Sequence, residues 1–194
     1  FQVIDEMNFK LGLHSLKYHY IQKQFRFPTD KNNDFVYWGS DKTRTAGGEK
    51  SKDDRLDVIK YINKSENISS IIIGRWPFKV KEKWIPMKDT LGYLDQSYTT
   101  LCFNWIDQTA VTGRYPEALA CNIYPFVWKD YDTNNILVSD DFQRCFTKEE
   151  LYDKIKYIKN TNMLDKVKSD FIDKLPSEQE YYQDFEKVIN KCLK

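Results

Sequence analysis

Short runs of β-branched and aromatic residues alternate along this chain with longer stretches of helical periodicity. Phe35 to Trp38 reads as a strand, and Asp53 to Asn63 follows with Leu56, Ile59, Tyr61 and Ile62 at helical spacing. Ser69 to Ile73 carries three consecutive isoleucines, the unbroken run expected of a strand covered on both faces. A helix over Lys88 to Ser97 (Leu91, Tyr93, Leu94) leads into a third strand, Thr99 to Asn104. Arg114 to Cys121 reads as a short helix ended by Asn122, a residue tolerant of left-handed backbone. Ile123 to Trp128 is a fourth strand in which Pro125 marks a sheet margin or an irregular start. Ile136 to Val138 predicts a brief fifth.

Three amphipathic helices close the chain. The first has Thr147 and Glu150 as a capping box and presents Leu151, Ile155 and Ile158 on one face. Met163 to Lys174 is the second, and Ser177 to Leu193, with Ser177 and Glu180 as another capping box, is the third. The alternation predicts an α/β fold: a doubly wound, mostly parallel, Rossmann-like sheet with C-terminal helices. Residues 1–30 read as a connector or the end of a preceding domain, because Pro28 to Asp34 is polar and turn-rich; residues 31–194 read as one domain. Residue 1 is Phe, so the natural protein is expected to begin upstream.

Composition narrows the function classes. The formal net charge is +1, which excludes a global field drawing the chain onto nucleic acid or an anionic membrane. No apolar run approaches a transmembrane span. The four cysteines (102, 121, 145 and 192) are widely spaced, with no CxxC pair and only two histidines. That spacing argues against a zinc site or a disulfide scaffold and predicts a reducing, cytoplasmic setting.

Phosphate-type chemistry is signalled three times, each time beside a strand. After Phe35 to Trp38 come Gly39, Ser40, Asp41, Lys42, Thr43 and Arg44, a small-residue loop with two cations. The second strand ends in Gly74, Arg75 and Trp76, so Arg75 stands at the carboxyl end of a buried strand, where open α/β sheets bind ligands. Before the fourth strand, Thr109, Ala110, Thr112 and Gly113 precede a helix start, where unpaired N–H groups and the helix dipole favour an anion. Neither GxGxxG nor a P-loop is present, which weakens a nicotinamide oxidoreductase reading. The alternation of Lys with Val and Glu over Lys79 to Lys83 is read as a wet edge.

These segments, Tyr37 to Arg44 (YWGSDKTR), Ile73 to Pro77 (IGRWP) and above all Thr112 to Trp128 (TGRYPEALACNIYPFVW), resemble the C-terminal, nucleotide-sugar-binding half of GT-B glycosyltransferases. Arg114, Glu117, Ala118, Ala120 and Pro125 fit that family's recurring helix-and-strand frame, shifted by one at the proline; Asn122 stands where glycine is typical. The stretch LACNIYPFVWK is also faintly similar to the glucosyltransferases with which tailed bacteriophages modify their DNA.

The resemblance implies transfer of a hexose from a nucleoside-diphosphate sugar, UDP- or GDP-linked, to an acceptor hydroxyl, without a metal or other cofactor. It implies that Glu117 accepts from the ribose hydroxyls, and that Thr112, Gly113 and the backbone of Arg114 hold the diphosphate at the helix N-terminus. Lys42 or Arg44, with Arg75, would neutralise the departing diphosphate. Ser40 would join the donor site, and Trp76 or Tyr93 would stack on the base. The acceptor (glycan, protein or modified DNA) is not indicated, and a second, N-terminal domain, upstream or in another chain, is implied as a partner. The competing expectation is a non-catalytic Rossmann-like binding or assembly module with the same fold.

Overall fold

The computed structural model describes residues 30–39, 54–80, 87–104, 111–138, 140–159 and 161–192. Its core is a five-stranded, all-parallel sheet in the order β2-β1-β3-β4-β5. The strands are β1 (Asn33–Trp38), β2 (Ser70–Ile73), β3 (Ser97–Cys102), β4 (Tyr124–Trp128) and β5 (Arg144–Cys145). The helices are α1 (Arg55–Lys64), α2 (Met87–Asp95), α3 (Arg114–Ala120), α4 (Lys148–Ile158), α5 (Met163–Asp173) and α6 (Glu178–Cys192).

Parallel pairing requires crossovers, and the helices that make them bury both faces of the sheet. On one face Phe35, Tyr37 and Ile72 pack against Val58, Ile59 and Ile62 of α1 and Leu151 and Ile155 of α4. On the other, Val36, Trp38, Ile71 and Ile73 pack against Leu94 of α2 and Ala118 of α3. Phe171 of α5 meets Tyr115 of α3, ring centroids 5.6 Å apart. Full burial of Ile71 to Ile73 is what their β-branched run predicts.

Local signals are obeyed closely. Asn122 adopts φ 57°, ending α3 as its side chain allows. Glu150 N–H donates to Thr147 Oγ1 (3.1 Å), while the Glu150 carboxylate reaches back to the Phe146 N–H (2.9 Å). Ser177 and Glu180 cap each other reciprocally.

Two expectations need correction. Ile136 to Val138 is not a strand: the N–H groups of Ile136, Leu137 and Val138 all donate to the Asp132 carboxylate, at 3.1, 2.8 and 2.8 Å, so none is left for a ladder. The fifth strand is instead Arg144–Cys145, only two residues long. Pro125 lies in β4, between β3 and β5, and not at a margin. It is tolerated because β5 pairs only from Val127 onward, and the Pro125 carbonyl is taken by the Gln143 side chain (2.8 Å).

Candidate functional site

The strand order creates a switch point. From β1 the chain crosses to β2 on one side, and from β3 it crosses to β4 on the other, so the connections diverge at the carboxyl ends of β1 and β3. A crevice at such a point is where open α/β sheets bind ligands.

Arg114 stands at this switch point, at the first position of α3. Its Nη1 donates to Tyr37 Oη at 2.9 Å, and its guanidinium lies 4.8 Å from the Tyr37 ring centre and 5.0 Å from that of Trp38. Those side chains leave opposite faces of β1, so the cation wraps the strand's end. Gly39 makes this approach possible: it has φ 150°, and a Cβ there would stand 3.1 Å from Arg114 Nη2. Burial works against the charge, but neighbouring Tyr37 and Glu117 help to outweigh it, so the guanidinium holds its proton more firmly than usual. Among the described residues no carboxylate forms an ion pair with Arg114, and its enclosed Nε has no hydrogen-bond partner.

Other rim groups are also unmet. Asn104, just past β3, donates from Nδ2 to the Asp130 carbonyl (2.6 Å), but its enclosed Oδ1 has no partner among the described residues. Trp76 packs edge-on against Tyr37 (5.6 Å) and tilted against Phe78 (5.4 Å), and its enclosed indole N–H is likewise unpartnered. Arg55 of α1 reaches the same rim, donating to the Asn104 carbonyl at 2.7 Å. Cys102 lies below Arg114; burial pushes its thiol up to about 12, which makes it unreactive near neutral pH.

The residues singled out from sequence divide three ways. Arg114, Thr112 and Gly113 meet at the start of α3, with half-buried Glu117 one turn further and close enough to act electrostatically on Arg114. Arg75 is exposed beyond β2, next to Trp76. Ser40, Lys42 and Arg44 lie outside the described residues. Tyr93 is not brought to this rim: it sits in the last turn of α2, and its carbonyl accepts from Ser97 Oγ at the first residue of β3, the opposite end of the sheet. Because α3 has only seven residues, its dipole is modest and the Arg114 charge dominates. The sequence reading gave no role to Tyr37, Asn104 or Tyr131. A polar residue closing an otherwise buried strand, as Asn104 does, is the signal that could have found one of them.

Family models and curated proteins give no match to this chain. Solved structures do. A structure of the DNA modifying enzyme β-glucosyltransferase, in the presence and absence of uridine diphosphoglucose, aligns with TM-score 0.61 at 16% identity, over 91% of this chain and 56% of that one. The fold is GT-B-like. A mutant of the T4 phage enzyme in complex with UDP-glucose aligns with TM-score 0.59 at 17% identity, over 87% of this chain and 50% of that one. The T4 phage enzyme with UDP and Mn2+ aligns with TM-score 0.58 at 16% identity, over 91% and 53%. The chain thus spans about half the length of these GT-B-like neighbours. Among the described residues no helix is long and apolar enough to cross a membrane, and no group of three or more His, Cys, Asp or Glu is arranged to hold a metal ion.

Proposed function

We propose that this chain is the donor-binding part of a glycosyltransferase that moves a hexose from a UDP-linked sugar to an acceptor hydroxyl. The observation that carries the reading is Arg114: an enclosed cation at the switch point, without a carboxylate partner among the described residues. A half-buried cation with no carboxylate partner among the described residues suits an anionic ligand. The solved neighbours that share the fold are named for UDP-glucose, which supports a uridine diphosphate in preference to a guanosine one.

In the transfer, the acceptor oxygen bonds to the anomeric carbon as the bond from that carbon to the diphosphate oxygen breaks. Both electrons leave with the diphosphate, and the hydroxyl proton goes to a base outside the described residues. Arg114, joined by Arg75 and by Lys42 or Arg44, stabilises the charge that builds on the leaving group. Glu117 takes the ribose hydroxyls, since a carboxylate accepts two at once. The base stacks at Trp76, and Ser40, Thr112 and Gly113 complete the donor site. The reaction is proposed to run without a metal, which activity surviving EDTA would support. The acceptor and its binding surface are assigned to a further domain or chain.

The test is thermal unfolding with and without UDP, GDP and their sugars. A ligand at a hundredfold excess over Kd stabilises by about 2.7 kcal/mol, so a donor site gives a clear rise in Tm with UDP. No rise with any nucleotide would favour the second reading, a non-catalytic module. That reading draws on Trp76, whose ring already packs on Tyr37 and Phe78.

A further inference from the structure

The connection after β4 is braced far beyond what an exposed turn requires. Asp132 is buried and accepts three backbone N–H groups, from Ile136, Leu137 and Val138. Arg144, from β5, donates to the carbonyls of Lys129, Tyr131 and Asp132 at 3.1, 2.5 and 3.2 Å, and to Asn135 Oδ1 at 3.0 Å. Asp132 and Asn135 both adopt left-handed backbone, φ 47° and 52°, conformations that persist only when the surroundings enforce them. Thr133 to Ile136 are exposed, whereas Leu137 and Val138, whose N–H groups take two of the three Asp132 bonds, are buried in the same core as Tyr131.

What the loop holds in place is Tyr131. Its fully buried phenol meets all three polar atoms of Thr112: it accepts from the N–H at 2.8 Å, and lies 3.2 Å from Oγ1 and 3.3 Å from the carbonyl oxygen. Burial keeps this hydroxyl protonated well above its usual range, so it stays both donor and acceptor. The Thr112 carbonyl in turn accepts the Tyr115 N–H (3.1 Å), closing the turn that launches Arg114. A second brace works beside it: Gln143 Nε2 donates to Tyr115 Oη (3.1 Å) and to the Pro125 carbonyl (2.8 Å).

We propose that Tyr131 is a positioning residue of the donor site, its phenol fixing the Thr112 backbone so that Arg114 is held ready for a diphosphate. This rests on the donor-site reading above. Arg144 holds the Tyr131 carbonyl, and the Tyr131 hydroxyl engages the residue two before the arginine. Pre-ordering of this kind raises affinity by removing the cost of ordering the site on binding.

The experiment compares calorimetric Kd values for UDP and uridine on the full chain and on Tyr131→Phe, Asp132→Asn and Ile155→Val. Tyr131→Phe keeps the ring and loses the hydroxyl; UDP should bind about tenfold more weakly, the size of one well-placed hydrogen bond, with uridine unchanged. Asp132→Asn, which loosens the loop, should show the same diphosphate-selective loss and stands in if Tyr131→Phe fails to fold. Ile155→Val, in the core beneath α4, should lower Tm without moving either Kd. Unchanged UDP affinity in the folded variants overturns the inference. So does a parallel loss for UDP and uridine, or a loss shared by Ile155→Val, since each is what general loosening gives. A wild-type chain that binds UDP no better than uridine removes the donor-site reading itself, a different result from a wild type that binds UDP and a variant that binds it as well.

Discussion

The two ends of the sheet use their cations in opposite ways. At the amino end Lys31 donates to the carbonyls of Ser97 (2.5 Å) and Asn122 (2.6 Å) and lies 5.6 Å from the Tyr98 ring centre. Lys168 donates to Asn122 Oδ1 and Lys159 pairs with Asp34. Every one of these charges answers to a protein group, and together they tie β1, β3 and the α3–β4 turn. At the carboxyl end Arg114 has aromatic rings and one phenol but no carboxylate among the described residues, and Arg114 Nε, Asn104 Oδ1 and Trp76 Nε1 are enclosed and unmet. Unmet buried groups cost about 1–3 kcal/mol each, so a protein retains them where something else completes them. Among the described residues, then, the amino-end lysines are matched by protein groups while the enclosed Arg114 Nε is not.

The largest expected effect separates the two ends outright. Arg114→Met should weaken UDP binding about a hundredfold, in line with losing charge-assisted hydrogen bonds of about 1.5–3 kcal/mol. Its Tm should hardly fall, because a half-buried cation with no carboxylate partner among the described residues goes with it. A large Tm loss with unchanged UDP affinity would erase the contrast. Lys31→Met should do the reverse, costing about 2 kcal/mol in denaturant unfolding by leaving two carbonyls unmet, with the same Kd for UDP.

Glycine 39 offers a geometric probe of the same rim. Gly39→Ala meets both a φ of 150° and a contact of 3.1 Å with Arg114 Nη2, so UDP affinity should drop along with a stability loss of about 1–3 kcal/mol. Glu117→Ala should weaken UDP-glucose binding while leaving the fold intact; unchanged affinity in a folded variant would sink the ribose assignment.

The smallest effect is one of pH. Burial pushes the Lys31 ammonium down to about 8 from 10.5, so between those values the unfolded chain binds more protons than the folded one. Stability should therefore rise as pH climbs from about 8 toward 9, beyond which Cys102 and Cys145, held protonated by burial only in the folded state, oppose it; the rise should shrink in Lys31→Met. Above pH 10 it should fall again, because Tyr115, Tyr124 and Tyr131 are held protonated by burial only in the folded state. The same profile from pH 8 to 9 in the parent chain and in Lys31→Met would show that the amino-end lysine contributes none of the rise.

Most strands and helices were legible in the chain because their signals are local. The Ile71 to Ile73 run, the helical spacing from Leu56 to Ile62, the Thr147 and Ser177 caps and the left-handed Asn122 each act over a few residues, and each appears where its pattern lies. The expected fifth strand failed for a non-local reason: the Asp132 carboxylate outcompeted a ladder for the N–H groups of Ile136 to Val138. The same division runs through the site. The sequence by itself determined that Arg75 follows a buried strand, and the GT-B resemblance pointed to Arg114 and Glu117. It could not determine which of them meet. Tertiary structure brought Arg114 across 77 residues to Tyr37, set Tyr131 under Thr112, and sent Tyr93 to the far end of the sheet. Those outcomes follow from strand order, which parallel crossovers decide over the whole chain and no short window contains.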